Sequence, residues 1–211
     1  MLAGDSADWL AHFRTLEERL IEAVDAAWPV CIAPLQAVKG NMTHEDYITN
    51  HLVDALIRTK RLPGRIIPQY ALLSPNAQQL LKVGSKIDFV LTIGDNEDVY
   101  LACESKRLNV PYKKKTRALA HEYVHDGLMR FVAGQYSQGL PLAMMLGYVM
   151  NKDADVAHQR VKRAIGRSKT AALKSVADEA IVSGKPIRFS TTHACTTGQD
   201  IQIRHTLLAW P

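Results

Sequence analysis

The sequence predicts an α/β fold in which a mixed β-sheet is flanked by helices. Segments with apolar residues at helical spacing alternate with short apolar runs, which is the pattern of mixed α/β domains. The run at 140–150 is apolar almost without interruption, as expected of a strand in the interior of a sheet. After an N-terminal helix, the predicted order is helix, three strands, helix, strand, helix and two strands.

The composition is that of a soluble globular protein, with 47% hydrophobic and 22% charged residues over 211 positions. The three cysteines show no CxxC spacing, so neither a disulfide framework nor a zinc knuckle is indicated, and a reducing cytoplasm is expected. The N-terminus lacks the pattern of a signal peptide, and no apolar run approaches the ~18 residues that a membrane-spanning helix needs. The net charge of +5 favours an anionic partner only weakly.

The N-terminal region, residues 1–42, is predicted to be an accessory helix followed by a linker. Apolar residues recur at helical spacing until about Ala27, and a stretch that contains proline and glycine then favours a break in regular structure. The helix is amphipathic, so it is interpreted either as an accessory element or as a contact in a homodimer. The main domain is expected to span residues 43–211 and to begin with a helix over 43–60.

The centre of the chain is predicted to form a β-hairpin. Its strands, Ile87–Ile93 and Val99–Cys103, are joined by a polar loop of hairpin length and composition. If the loop is symmetric about Asn96, Asp88 and Glu104 lie opposite each other, because each is eight residues from Asn96. Direct cross-strand partners have Cβ atoms roughly 4.5 to 5.5 Å apart, so both carboxylates could reach one cation. A slip of one residue would send Asp88 to the opposite face from Glu104.

The second strand ends in Glu104-Ser105-Lys106, the only acid-x-Lys triplet of the chain. Strand periodicity places Lys106 on the same face as Glu104. The same register puts Lys86 opposite Lys106, and repulsion between these like charges predicts that the strands splay or bulge there. Carboxylates as close as Asp88 and Glu104 repel unless a cation or a proton neutralises them, which indicates a metal site. The alternative is a hairpin with charged residues at its open end, where solvent begins.

This arrangement resembles the PD-(D/E)XK superfamily, the restriction-endonuclease-like nucleases. The likeness covers residues 43–150 and rests on the element order together with Asp88, fifteen intervening residues and the triplet at 104–106. Ile87 stands where the family name has proline, a position at which many members vary. The resemblance implies a restriction-endonuclease-like fold and an endonuclease that hydrolyses phosphodiester bonds, with DNA favoured over RNA. A role in restriction, phage defence or repair follows from the resemblance alone.

The resemblance also implies roles for the residues of the site. Asp88 and Glu104 would bind Mg²⁺ or Mn²⁺, which polarises the scissile phosphate and lowers the pKa of a bound water. Lys106 would orient or help deprotonate that water and offset the charge that builds on the phosphate. Glu45, on the preceding helix, matches an acid that often completes the metal site in such families. The alternative role of Glu45 is to interact favourably with the dipole at the start of its own helix.

Two basic segments are candidates for binding nucleic acid. One directly follows the proposed site. The other is a stripe on a long helix predicted over 155–182, where the basic side chains fall within about 60° of one another. Each segment would contact phosphates, or is alternatively a solvated face. The candidate residues are Lys113, Lys114, Lys115 and Arg117 in the first segment, and Arg160, Arg163, Arg167 and Lys174 in the second.

A rival motif is HEYVH at 121–125, which matches the HExxH signature of zinc peptidases and lies on a helix predicted over 116–136. Its two histidines would bind zinc and Glu122 would act as the base. A third ligand would have to be a distant residue such as His158 or Glu179. The favoured interpretation is that these side chains pack beside the sheet or support the nuclease site.

A catalytically inactive nucleic-acid-binding protein of the same fold is a further alternative. Such a protein would keep the basic segments and the hairpin. It would bind DNA without cutting it, whether or not a metal is present.

Overall fold

The computed structural model describes residues 6–37, 44–75, 81–93 and 96–211. The helical segments in these ranges are α1 (Ser6–Ala37), α2 (Glu45–Thr59), α3 (Ala120–Glu122), a π-helical turn (Tyr123–Leu128), α4 (Met129–Val132), α5 (Ala154–Arg167) and a short 3₁₀ turn (Lys169–Ala171). The strands are β1 (Arg65–Pro75), β2 (Leu81–Ile93), β3 (Asn96–Leu108), β4 (Val110–Tyr112), β5 (Lys115–Arg117), β6 (Leu142–Val149), β7 (Leu173–Asp178), β8 (Ile187–Ala194) and β9 (Asp200–Ala209).

One large sheet has the strand order β1-β2-β3-β6-β9-β8-β7, and β4 pairs with β5 in a separate two-stranded ribbon. β6 lies at the centre of the sheet, where it pairs in parallel with β3 and β9, and its residues are buried along its whole length. Parallel strands are covered on both faces, which is why the sequence of β6 shows no alternation of apolar and polar residues. The other neighbours are antiparallel, so the sheet is mixed as predicted.

Helices cover both faces of the sheet. On one face, the ring of Tyr148 in β6 stacks on Trp28 of α1, with 5.5 Å between ring centroids, and its hydroxyl is 3.1 Å from the hydroxyl of Thr49 in α2. Gly147 faces the other side, where an added Cβ atom would lie 3.4 Å from Tyr123 of the π-helical turn. The predicted class, an α/β protein with a mixed sheet flanked by helices, is therefore confirmed.

Helix α1 is longer than predicted. It continues through Pro29 and Pro34 to Ala37, so the expectation of a helix end near Ala27 followed by a linker is wrong. Both prolines are exposed, while apolar side chains on the inner side of the same turns remain buried. This packing outweighs the cost of an interior proline, which is about 3 kcal/mol. The predicted domain boundary at residue 42 lies outside the described residues.

The apolar face of α1 belongs to the core. By length and composition alone, the segment Leu10–Ala37 could cross a membrane, which departs from the expectation that no apolar run approaches that length. However, Phe13, Leu16 and Leu20 pack against the rest of the protein with at most 2% exposure. The apolar face of α1 is therefore part of the core, while 44% of its most apolar window is buried.

The prediction of one long helix over 155–182 is wrong in its second half. α5 ends at Arg167, and the chain then forms β7, in which Val176 pairs with Thr191 of β8. The segment 173–178 has no strong strand propensity of its own. It forms a strand because pairing satisfies the backbone groups at the outer edge of β8, and this tertiary requirement overrides local propensity.

The prediction of a helix over 116–136 is also wrong at both ends. Helical structure begins only at Ala120 and ends at Val132. The residues before it form β5, because Lys113 and Lys114 make a two-residue turn that pairs Tyr112 with Lys115. Lys113 has a positive φ of 52°, which such tight hairpin turns require.

We expect Trp28→Ala to lower the free energy of unfolding by about 3 to 5 kcal/mol, as is typical for removal of a buried tryptophan. Trp28 is 7% exposed, stacks on Tyr148, and donates a hydrogen bond from its indole nitrogen to the carbonyl oxygen of Ala209 at 3.0 Å. Urea unfolding monitored by circular dichroism measures the effect. Val30→Ala, two residues away and 64% exposed, is the control and should change stability by less than about 0.5 kcal/mol. Equal effects of the two substitutions would mean that α1 is not part of the core.

Candidate active site

The hairpin between β2 and β3 has the predicted register over most of its length. Phe89 pairs with Cys103, and the ladder keeps this register up to Thr92 and Tyr100. Asp88 and Glu104 are the next residues of the two strands, one step beyond the last pair of this ladder, so they are not themselves a cross-strand pair of it. The register shifts beyond Thr92, so the connection is shorter than the predicted loop, and residues 94 and 95 of that loop lie outside the described residues.

The two strands diverge beyond Phe89 and Cys103. β2 continues along β1, where Ile87 pairs with Tyr70, and β3 continues along β6, where Lys106 pairs with Gly147. The strands therefore splay at Lys86 and Lys106, as predicted. Because of this divergence, backbone N–H groups of β3 that face β2 no longer have a partner on that strand. The Asp88 carboxylate accepts one of them, the backbone N–H of Ser105, at 2.7 Å.

Lys106 lies at the centre of the cluster. Its ammonium donates hydrogen bonds to Glu104 Oε1 at 2.9 Å, to Glu45 Oε1 at 2.9 Å and to the carbonyl oxygen of Ser105 at 2.8 Å. Glu45 is the first residue of α2, and its second carboxylate oxygen accepts a hydrogen bond from the backbone N–H of Arg107 at 2.9 Å. Glu45 therefore starts its helix and also contacts Lys106.

Gly127 allows the helical segment to approach Lys106. A Cβ atom at Gly127 would lie 2.6 Å from Met145 Cε and 3.3 Å from Lys106 Cγ. Gly127 belongs to the π-helical turn, and such turns often occur at functional sites. The turn thus packs against the aliphatic stem of Lys106, while the ammonium group extends to the acids.

Arg130 is a member of the cluster that was not predicted. Its guanidinium donates to Glu104 Oε1 at 3.1 Å and to the hydroxyl of Tyr136 at 2.5 Å, and Tyr136 in turn donates to the carbonyl oxygen of Lys86. One feature of the sequence could have indicated its role. Arg130 is the only Arg or Lys between Arg117 and Lys152, and it lies on a helix that is otherwise suited to burial. A cation in such a position needs a partner.

Burial governs the electrostatics of the two acids on the hairpin. Glu104 is 1% exposed, and burial together with the nearby charge of Asp88 raises its pKa to about 7, although Lys106 and Arg130 act in the opposite direction. Burial also raises the pKa of Asp88, against the effects of Lys106 and the Ser105 amide. For Lys106, burial disfavours the ammonium, but Glu104 and Glu45 outweigh it and raise the pKa. Lys106 is therefore a permanent cation beside acids that have spare capacity for a proton or a metal.

The carboxylate oxygens of this cluster are suitable ligands for a divalent cation. Carboxylate oxygens are the ligands that Mg²⁺ and Mn²⁺ prefer, and Asp88, Glu104 and Glu45 all supply them. Among the residues that the structure describes, the buried Glu104 Oε2 has no hydrogen-bond partner, so this oxygen has the capacity to bind a cation. Within the same residues, no group of three or more His, Cys, Asp or Glu side chains is already arranged around one metal position. The Lys106 ammonium instead lies between Glu45 and Glu104.

The basic segment after the site forms the β4–β5 ribbon, and its four cations, Lys113 to Lys115 and Arg117, are exposed. In the second segment, Arg163 and Arg167 are exposed on α5. Arg160 is partly buried and donates to the side-chain oxygen of Asn109 at 2.8 Å.

Lys174 is not on the helix that was predicted to carry it. It lies in β7, where its ammonium pairs with the carboxylate of Asp200 at 2.5 Å. The predicted stripe of four cations therefore loses one member.

The HExxH residues extend from α3 into the π-helical turn. The exposed rings of His121 and His125 stack with 4.0 Å between centroids. The distant residues considered as a third ligand have other partners, because His158 bonds to Asp178 at 3.2 Å and Glu179 pairs with Arg204.

No protein-family model, curated protein or solved structure gives a significant match to this chain.

The raised pKa of Glu104 predicts a specific dependence of stability on pH. Between the 4.5 of an ordinary glutamate and about 7, the folded protein holds a proton that the unfolded chain has lost. The free energy of unfolding should therefore fall as pH rises through this range, by up to about 1.4 kcal/mol per pH unit. Because Glu104→Gln removes the titration, the wild type should lose stability relative to this variant between pH 5 and 7, with no further loss above pH 8.

Urea unfolding in the presence of EDTA provides the measurement. Glu22→Gln, at a side chain that is 70% exposed, is the control and should keep a constant difference from the wild type. A constant difference for Glu104→Gln as well would contradict the raised pKa.

Proposed function

We propose that this protein is a metal-dependent endonuclease of restriction-endonuclease-like fold that hydrolyses phosphodiester bonds in DNA. The observation that carries the proposal lies at the splayed end of the hairpin, where Glu104 and Glu45 both accept hydrogen bonds from the Lys106 ammonium. Asp88 accepts the backbone N–H of the neighbouring Ser105 and feels the charge of Lys106. The order of elements from α2 to β6, with three antiparallel strands and a helical crossover to a parallel strand, supports the same proposal.

In this proposal, the acids hold the metal and the cations act on the phosphate. Asp88 and Glu104, with Glu45, would hold Mg²⁺ or Mn²⁺. The chemistry that such an ion supplies is polarisation of a phosphate oxygen and a lower pKa for a bound water. Lys106 would release contacts with the acids to orient the attacking water and to offset charge on the phosphate. Arg130 adds a second cation beside Glu104 for the same purpose.

Exposed basic residues near the site support a polyanionic substrate. The β4–β5 ribbon begins four residues after Lys106 in the same chain segment, and α5 adds Arg163 and Arg167. Cations of this kind neutralise phosphates and release counterions, which supplies affinity without sequence preference.

We expect the purified protein to nick or linearise supercoiled plasmid with Mg²⁺ or Mn²⁺, and EDTA to abolish this cleavage. Asp88→Asn and Lys106→Met should each reduce the rate by about 10²-fold or more, since each removes a group that acts on the reacting phosphate or on its metal. Asp126→Asn and Lys169→Ala, which change exposed residues of the same types, are the controls and should cleave like the wild type.

Circular dichroism establishes that each of these variants is folded. Metal-dependent cleavage that persists unchanged in a folded Asp88→Asn or Lys106→Met protein would exclude this site. A folded wild type that binds DNA and never cuts it would favour an inactive nucleic-acid-binding protein.

Neutralising the ribbon should weaken DNA binding and flatten its dependence on salt. The variant is Lys113→Asn with Lys114→Ser and Lys115→Ser, in which asparagine tolerates the positive φ of position 113. Each lost phosphate contact reduces the slope of log K against log salt by about 0.9, so three contacts reduce it by up to about 2.7. Fluorescence anisotropy with a labelled duplex measures this slope.

The matched control also removes three lysines, one of them at a positive φ, and combines Lys60→Asn, Lys169→Ser and Lys185→Ser. Its slope should stay close to that of the wild type. If both triple variants keep the wild-type slope, the ribbon is solvated surface that does not contact DNA.

A further inference from the structure

The β4–β5 ribbon has a firmly held base. Asn109, immediately before it, is fully buried and has a positive φ of 49°. Its backbone N–H donates to the carbonyl oxygen of Ala118 at 3.0 Å, which closes the base of the ribbon. Its side-chain amide donates to the carbonyl oxygen of Asp153 at 3.2 Å and accepts from Arg160 at 2.8 Å. Each polar group of the Asn109 side chain therefore fixes the direction in which the ribbon leaves the domain.

The far end of the ribbon, in contrast, projects into solvent. Its residues from Pro111 to Arg117 are exposed, and Tyr112 is 54% exposed with the Lys113 ammonium 5.5 Å from its ring centroid. An isolated two-stranded hairpin is only marginally stable in water. This ribbon is held at its base by a buried asparagine and an arginine, and a reason is needed for keeping so small an element in a fixed orientation. Preorganisation for a ligand explains this arrangement, because a rigid element loses less entropy on binding.

The shape and charge of the ribbon fit one class of ligand best. A two-stranded β-ribbon fits the major groove of B-form DNA, which is about 12 Å wide, and the exposed cations would then lie near the phosphates of both walls. The major groove of A-form RNA is too deep and narrow for side chains to read. A platform for single strands needs several aromatic residues, whereas Tyr112 is the only one in the sequence 110–117.

The distance to the candidate active site suits the same duplex. Val110 is four residues from Lys106, so their Cα atoms are at most about 14 Å apart. The strands of the ribbon add roughly 10 Å. The whole ribbon therefore lies within about 25 Å of Lys106, which is less than one helical turn of B-form DNA at about 34 Å.

We propose that the β4–β5 ribbon enters the major groove of a B-form DNA duplex within one helical turn of the candidate active site. Tyr112 contacts the base edges, the lysines lie near the phosphates, and Asn109 and Arg160 are positioning residues that set the angle of entry. This inference rests on the proposed function and names its substrate as duplex DNA. It also assigns Arg160 a role that acts through Asn109, in place of direct contact with phosphate.

Anisotropy titrations in EDTA test the inference without cleavage. The probes are a 24-base-pair DNA duplex, one strand of that duplex, and an RNA duplex of the same sequence. The wild type should bind the DNA duplex at least about tenfold more tightly than the other two. Prior loading of the DNA duplex with methyl green, a major-groove dye, should weaken binding, while the minor-groove ligand netropsin should not. Equal affinity for the three probes, or competition by netropsin, would overturn the inference, and this measurement needs no variant.

A double-mutant cycle tests the positioning residues. Asn109→Gly keeps the freedom to adopt a positive φ and every cation of the ribbon, but removes both side-chain hydrogen bonds. It should weaken duplex DNA binding by about tenfold and leave single-strand binding within about twofold, because a loose ribbon loses its fit to the groove. Asn109→Asp keeps the acceptor for Arg160 and should restore part of the loss.

Arg160→Ala should weaken duplex binding like Asn109→Gly, and the combined variant should be no weaker than either single one. Additive losses would mean that Arg160 contacts DNA directly and would overturn its role through Asn109. Every titration is made in EDTA, so the results do not depend on cleavage. If the ribbon does not bind duplex DNA under these conditions, this inference alone is overturned. A protein that binds duplex DNA through the ribbon and never cleaves plasmid would overturn only the proposed activity.

Discussion

The largely buried ammonium of Lys106, whose side chain is 13% exposed, forms the contacts on which the candidate site depends. Moving an ammonium or a carboxylate out of water costs several kcal/mol per ion even after the protein relaxes. Lys106 recovers this cost only because its three donors are all satisfied, by Glu104, by Glu45 and by the carbonyl oxygen of Ser105. The same contacts join β3 to the start of α2, so one side chain links the sheet to a helix on its face.

The surrounding backbone is shaped by this requirement. β2 and β3 separate beyond Phe89 and Cys103, which leaves room for the buried Glu104, and Asp88 accepts the backbone N–H of Ser105 that the separation exposes. On the side of β6, Gly147 faces Lys106 across the parallel pair, where an added Cβ atom would clash with Leu207 and Leu108. A small residue there leaves room for Leu207 and Leu108 beside the Tyr123 ring of the helical segment.

The sequence could predict the parts of the site that follow from local rules. The register from Phe89 to Thr92 agrees with the prediction, although the connection is shorter than expected and the pairing shifts between Thr92 and Ile93. The shared face of Glu104 and Lys106 follows from strand periodicity. The position of Arg130 could not be predicted in this way, because it depends on how a helix with a π-helical turn packs against the sheet. β7 could not be predicted either, because its strand conformation depends on the open edge of β8.

The site and the ribbon carry opposite charges, and this contrast has a consequence for binding. Asp88 and Glu104 at the base would repel the phosphates that the cations of the ribbon attract. Neutralising these acids, by a cation or a proton, therefore lowers the cost of bringing a phosphate close. By thermodynamic linkage, a bound polyanion must in turn favour the neutralised acids by the same factor. Under the proposed function, metal and DNA thus raise each other's affinity.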